Sequence, residues 1–167
     1  DPDAVYERVI EIDVSALGPQ IACPHTVDNV KGVGAVAGTK VHQIVIGSCT
    51  NGRLDDLAIA AKILKGQKVE AGTRMLIFPA SAKIYRQALG KGYVGVFMQA
   101  GAVVMNPGCG CCLGVHQGAL GDGEVATRLE LVSGDQRLGH GIGDALEDLF
   151  RLGVCPTEVG LDILILA

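Results

Sequence analysis

The stretch that most constrains this chain is Val41-His-Gln-Ile-Val-Ile46, a mostly apolar, β-branched run that stops at Gly47-Ser-Cys-Thr-Asn-Gly52. Continuous apolar, β-branched residues suit a strand buried on both faces of a parallel sheet, so this run is expected at the centre of one. The residues that follow supply a crossover. Leu54, Leu57, Ala58, Ala61 and Leu64 recur at helical spacing, with Asp55 and Asp56 in the first turn, where the helix dipole favours acids. That spacing predicts a helix starting near Gly52 or Arg53 and ending near Gly66, with Gly47 to Asn51 as the loop before it. Arg74 to Phe78 reads as the next strand. Pro79-Ala-Ser81 is its loop, and Ser81 is placed to cap a helix running through Leu89. Tyr93, Phe97 and Ala100 mark another short helix, Ala102 to Met105 a short strand, and Asn106 to Gly114 the loop after that strand. The fold class implied is α/β: a three-layer domain with a mostly parallel sheet.

The flanks read less clearly. Arg8 to Val14 alternates as a half-buried edge strand does, ahead of a turn at Gly18 and Pro19. Ile21 to Gly38 is rich in Pro, Asp, Asn and Gly without a period and is expected to be a long loop. Beyond Gly121-Asp-Gly123 the pattern weakens: Arg128 to Gly143 is glycine-rich and mixed, Asp144 to Leu152 suits a short amphipathic helix, and Leu161 to Ala167 is a short apolar run. A length of 167 residues suits one domain, and a net charge of −4 without a basic patch argues against nucleic acid as a partner. The apolar runs fall short of a membrane span and no N-terminal leader is visible, so no membrane partner is expected and a soluble, cytoplasmic protein is.

Chemistry concentrates in the cysteines. Three of the six lie within four positions, in Asn106-Pro-Gly-Cys-Gly-Cys-Cys-Leu-Gly114. Cys109 and Cys112 have the spacing that presents two sulfurs to one metal centre from one tight turn. Cys49, directly after the strongest strand, is the best third thiol. Both loops follow strands, and open α/β sheets bind ligands at the carboxyl ends of their strands, so the three are expected to converge there. Four readings compete. Zinc would take Cys49, Cys109, Cys112 and His116; a Cys-x-x-Cys redox pair leaves Cys49 and Cys111 unexplained; burial as small hydrophobes fits Cys155 and Cys23. An iron–sulfur cluster on three thiolates leaves one iron open as a Lewis acid. Cys23 and His25, two apart, are also a conceivable ligand pair, although the nearest other thiol is distant. Asn51 is placed either to donate to a cluster sulfur or substrate oxygen, or to cap the helix after it.

At these residues the chain, from Glu11 to about Thr127, resembles the third domain of the aconitase family. The resemblance is carried by Glu11-Ile-Asp-Val-Ser15, Pro24-His-Thr-Val-Asp-Asn-Val30, Ile46-Gly-Ser-Cys-Thr-Asn51, Asn106-Pro-Gly-Cys109, Cys112-Leu-Gly114 and Gly121-Asp-Gly-Glu-Val125. It implies that residues 1–127 form a cluster-binding domain and that 128–167 do not match the family, packing on the same domain. It also implies a 4Fe-4S cluster on Cys49, Cys109 and Cys112 with an open fourth iron, Asn51 beside it, and Cys111 as a bystander. The implied reaction is hydro-lyase isomerisation of a 2-hydroxy di- or tricarboxylate by dehydration and rehydration, with 3-isopropylmalate as first choice. Implied partners are that small substrate, a separate small subunit carrying the swivelling domain and its serine base, and further upstream domains. The family's Asn-Arg-Asn-Phe motif, whose arginine binds substrate carboxylate, is replaced here by Thr127-Arg-Leu-Glu-Leu131. The resemblance therefore gives Arg128 no role. No residue of this chain is assigned a catalytic role; His25, His116 and Asp28 are the reserve candidates for a base. A non-catalytic metal-binding or assembly module is the alternative.

Overall fold

The computed structural model of the chain describes residues 3–11, 20–24, 26, 28–113, 117–129 and 163–164. The strands are β1 (Gln20–Ala22), β2 (Val30–Gly32), β3 (Gln43–Gly47), β4 (Arg74–Phe78), β5 (Val103–Val104), β6 (Ala126–Leu129) and β7 (Ile163–Leu164); the helices are α1 (Ser48–Asn51), α2 (Leu54–Leu64), α3 (Ala82–Gly90) and α4 (Tyr93–Ala100). The main sheet runs β5-β4-β3-β6-β7, with β3 at its centre. β3 is parallel to β4 and to β6, β4 is parallel to β5, and only β7 is antiparallel to its neighbour. This is the mostly parallel α/β sheet that the sequence implies.

Strand order matters more than strand number. From β3 the chain builds outward through β4 to β5, then returns to place β6 on the other side of β3. The gap between the carboxyl ends of β3 and β6 is thus a topological switch point, where departing connections leave a crevice for a ligand.

The core follows from alternation along the central strands. Ile46, Met75 and Ile77 face one side and pack with Leu57 and Leu64 of α2, Ala88 of α3, and Val94 and Phe97 of α4. Each of the larger side chains here withdrawn from water stabilises by about 1.5–3 kcal/mol. Val45, Leu76 and Phe78 face the other side, where Met105 and Cys111 cover them. On that side the second cysteine loop lies over the sheet, with Gly118 against Leu76 beside it. No helix among the described residues is long and apolar enough to cross a membrane.

Several expectations need correction. Residues 8–11 form no strand, and Val9 and Ile10 are exposed; the rest of the expected Arg8 to Val14 strand lies outside the described residues. Ile21 to Gly38 is not one loop. β1 and β2 pair antiparallel, and a turn follows at Val33–Val36. The connection is closed by Cys23 N–H donating to Asn29 O at 2.9 Å and the Asn29 amide donating to Pro24 O at 2.6 Å. Strands this short leave no room for a visible period of two. β3 starts at Gln43, not Val41, because side chains take the next ladder groups: Val125 N–H donates to His42 Nδ1 at 3.0 Å, and the Thr73 hydroxyl donates to Val41 O at 3.0 Å. Leu161 to Ala167 contributes β7, which lies against β1. The helix expected at Asp144 to Leu152 lies outside the described residues.

Candidate metal centre

The first cysteine loop is a strained elbow. β3 ends on Gly47 at φ 103°, and Ser48, fully buried, follows at φ 75°, the left-handed region that non-glycine residues rarely enter. A Cβ on Gly47 would stand 2.1 Å from the Phe78 carbonyl oxygen, and one on Gly52 would stand 2.4 Å from the same atom. The elbow is therefore pressed onto the end of β4, where Ala80 N–H donates to Gly52 O at 2.8 Å. Ser48–Asn51, expected as loop, is instead a single helical turn that leaves Cys49 exposed.

The second loop starts where β5 leaves the sheet, with Met105 N–H on Ile77 O at 2.8 Å. It closes in a 3-10 turn over Gly110–Leu113, with Cys112 N–H on Cys109 O at 3.1 Å. This loop also leans on β4: the Phe78 ring fills the space where a side chain on Gly110 would be. Cys109 is exposed and Cys112 half-buried. Cys111 turns the other way, against Val45, Leu76 and Phe78, and burial pushes its thiol above the usual range.

Among the described residues, two ties join the loops. The Ser48 hydroxyl donates to Cys109 O in a long hydrogen bond of 3.5 Å. Arg128 supplies the other, donating from Nη2 to Thr50 Oγ1 at 2.6 Å and from Nη1 to Cys112 Sγ at 3.1 Å. The register explains its reach. Arg128 pairs with Val45 across β3 and β6, and so points to the face that carries Phe78 and Cys111. Sequence reading gave Arg128 no role, and Ser48 and Thr50 carried no signal. The alternation in Thr127-Arg-Leu-Glu-Leu131 was the available sign of a strand that aims Arg128 inward.

Cys49, Cys109 and Cys112 thus stand in two loops that meet over the switch point. Among the described residues, no three Cys, His, Asp or Glu side chains are closed into a ready ligand set. Other features suit a cluster. The donors are soft thiols, two of them exposed. The Asn51 amide nitrogen is shut off from solvent and finds no partner among the described residues. Such an orphaned donor is costly unless something accepts from it. Asn51 does not cap α2, as one of its two expected roles required. The cap is Arg53, whose N–H donates to Asp56 Oδ2 at 2.9 Å.

The remaining candidates stand apart or outside the described residues. Ser81 caps α3, accepting from Ile84 N–H at 3.3 Å, as expected. Cys23 is buried with Ile21 and Val33 under the β1–β2 hairpin. Asp28 lies in the hairpin turn, where the Thr26 hydroxyl holds its carboxyl below the ordinary range. His25, His116 and Cys155 lie outside the described residues.

Fold and site together define an α/β domain that gathers thiols over the switch point of a parallel sheet. The chain belongs to the aconitase family, whose model, described as the aconitase family (aconitate hydratase), matches residues 1–134. It is 52% identical over 140 residues to the 3-isopropylmalate dehydratase large subunit 2 of Archaeoglobus fulgidus, covering 84% of this chain and 34% of that protein. It is also 52% identical over 140 residues to the 3-isopropylmalate dehydratase large subunit of Elusimicrobium minutum, with the same coverage. The methanogen homoaconitase large subunit of Methanocaldococcus jannaschii is 46% identical over 138 residues, 83% of this chain and 33% of that protein. The chain spans about a third of the length of these relatives.

Proposed function

We propose that this chain is the cluster-binding domain of a hydro-lyase of the 3-isopropylmalate dehydratase type, which interconverts 2-isopropylmalate and 3-isopropylmalate by dehydration and rehydration in leucine biosynthesis, in the cytoplasm. That domain runs past residue 127, the boundary expected from the sequence, because β6 pairs with β3 through Leu129 and the family match extends to residue 134. The observation that carries the reading is the meeting of the Cys49 loop and the Cys109–Cys112 loop beside Arg128, in a chain of this family.

Cys49, Cys109 and Cys112 would hold the group, and Cys111, half-buried against Phe78, would not. A bound 4Fe-4S cluster with one iron free of protein ligands supplies a Lewis acid toward a substrate hydroxyl and carboxylate. The Asn51 amide would donate a hydrogen bond to a sulfur or to a substrate oxygen, satisfying a buried donor that is otherwise unpaired among the described residues. Arg128 sets a hydrogen-bond donor and a positive charge beside the Cys112 sulfur, 3.1 Å away. Removing the proton requires a base. That role is assigned to a serine of a separate small subunit, a partner in keeping with the words large subunit in the relatives' names. Histidine and carboxylate groups of further domains complete the site.

Anaerobic reconstitution with iron and sulfide tests the reading. The expected product is brown, with the broad visible absorption of an iron–sulfur cluster. A colourless protein that takes up zinc instead would favour a metal-stabilised assembly module.

A further inference from the structure

We propose that Arg128 is a positioning residue: its guanidinium latches the Ser48–Asn51 turn to the Gly110–Leu113 turn and so holds the turn that carries Cys49 against the loop that carries Cys109 and Cys112. This rests on the cluster-binding reading above. The latch has one end on Thr50 Oγ1 at 2.6 Å and the other on Cys112 Sγ at 3.1 Å, so it acts on the residue next to one proposed ligand and directly on another. A further hydrogen bond between the loops among the described residues, from Ser48 to Cys109 O, is long at 3.5 Å and correspondingly weak. Arg128 is itself held firmly. β6 pairs with β3 from Gln43↔Ala126 to Ile46↔Leu129, which fixes the face its side chain takes. A planar guanidinium reaches two acceptors at once, whereas a lysine ammonium at this place is a point charge that serves one of them well. Hydrogen bonds and charge beside a ligating sulfur also tune the centre that the sulfur binds.

The test compares the chain with its Arg128→Gln, Arg128→Lys and Thr50→Val variants, each checked for native circular dichroism. In the metal-free proteins, dibromobimane bridges thiols that come close together, and mass spectrometry identifies the peptides joined. Bridges from Cys49 to the Cys109–Cys112 segment should fall several-fold in Arg128→Gln and in Thr50→Val. After anaerobic reconstitution, Arg128→Gln should lose iron to a chelator about 10–100 times faster than the unmodified chain, with Arg128→Lys between the two. Thr50→Val carries the test if Arg128→Gln fails to fold, because it cuts one end of the latch and leaves the sheet untouched.

Unchanged bridging and unchanged iron retention in a folded variant would overturn the latch and leave the cluster reading standing. Bridging that depends on Arg128 in a chain that takes up no cluster would support the latch and overturn the cluster reading.

Discussion

Where β3 ends, two consecutive residues take positive φ, and the second is a serine. A left-handed conformation costs a non-glycine residue about 1–2 kcal/mol, and such strain persists only where the surrounding structure enforces it. Here the enforcement is visible, because Gly47 and Gly52 both lie against the Phe78 carbonyl. Gly47→Ala adds backbone overlap to the left-handed penalty and should destabilise the chain by roughly 3 kcal/mol in denaturant unfolding. Gly66→Ala, at φ 80° with open space around it, is the control and should lose only about 1–2 kcal/mol. Equal losses would mean that the elbow is not held as described. Asn51 invites the opposite experiment. Its amide is a buried donor without a partner among the described residues, so Asn51→Leu should leave the metal-free chain as stable as before or more so, while weakening retention of a reconstituted cluster. A loss of metal-free stability would show that the amide already has a structural partner. No sequence signal announces a serine at positive φ, since nothing in Gly-Ser-Cys-Thr-Asn fixes the angle. The angle comes from β4 pressing on the elbow.

At the scale of elements, the opposite end of the sheet is tied by charge. Arg74, at the start of β4, makes a two-pronged ion pair with Glu124, just before β6, at 2.7 and 2.6 Å. Its Nε donates to Gln43 Oε1 on β3 at 3.2 Å, and the Gln43 amide donates to Gly118 O at 2.7 Å. The hydrogen bonds from Arg74, with one from Gly121 N–H, pull the Glu124 carboxyl down from 4.5 to about 2. A folded-state pKa below the unfolded value means stability that is present above about pH 4.5 and lost as pH falls toward 2. Glu124→Gln should therefore show a smaller drop in melting temperature than the unmodified chain between those two values. Parallel drops would show that solvent screens the exposed pair too strongly to matter.

What was legible at this scale was what repeats. β3, β4, α2, α3 and α4 carry a period or a cap of their own, and Ser81 announced the start of α3. The β1–β2 hairpin was illegible because three-residue strands hold no period. β6 was missed although Thr127-Arg-Leu-Glu-Leu131 alternates, because glycine-rich sequence follows it and its pairing partner, β3, lies far upstream. Missing β6 also hid Arg128, since only the pairing register shows which way that side chain points.

For the whole molecule, the cysteine loops and the switch point follow from one topology: β3 sends Cys49 out at its carboxyl end, and the chain returns after β5 with Cys109 to Cys112 before laying β6 beside β3. This arrangement brings the loops of the proposed ligands together but supplies no assigned base, and the chain covers about a third of its relatives' length. General acid–base catalysis alone contributes about 10²–10⁴-fold, and orientation of the substrate carboxylates more. The chain with a reconstituted cluster should therefore show no detectable dehydration of isopropylmalate by itself, and should turn over only when the further domains and small subunit are supplied in trans. Robust turnover by the chain alone would require a base among residues such as His25, His116 or Asp28.

The central claim is that Cys49, Cys109 and Cys112 together hold the cluster. It is tested most directly by the iron content and visible spectrum of the chain and its six single Cys→Ser variants after anaerobic reconstitution. Cys49→Ser, Cys109→Ser and Cys112→Ser should each lose the iron–sulfur absorption, while Cys23→Ser, Cys111→Ser and Cys155→Ser should keep it. Loss of the absorption in Cys111→Ser together with its survival in Cys112→Ser would contradict the account.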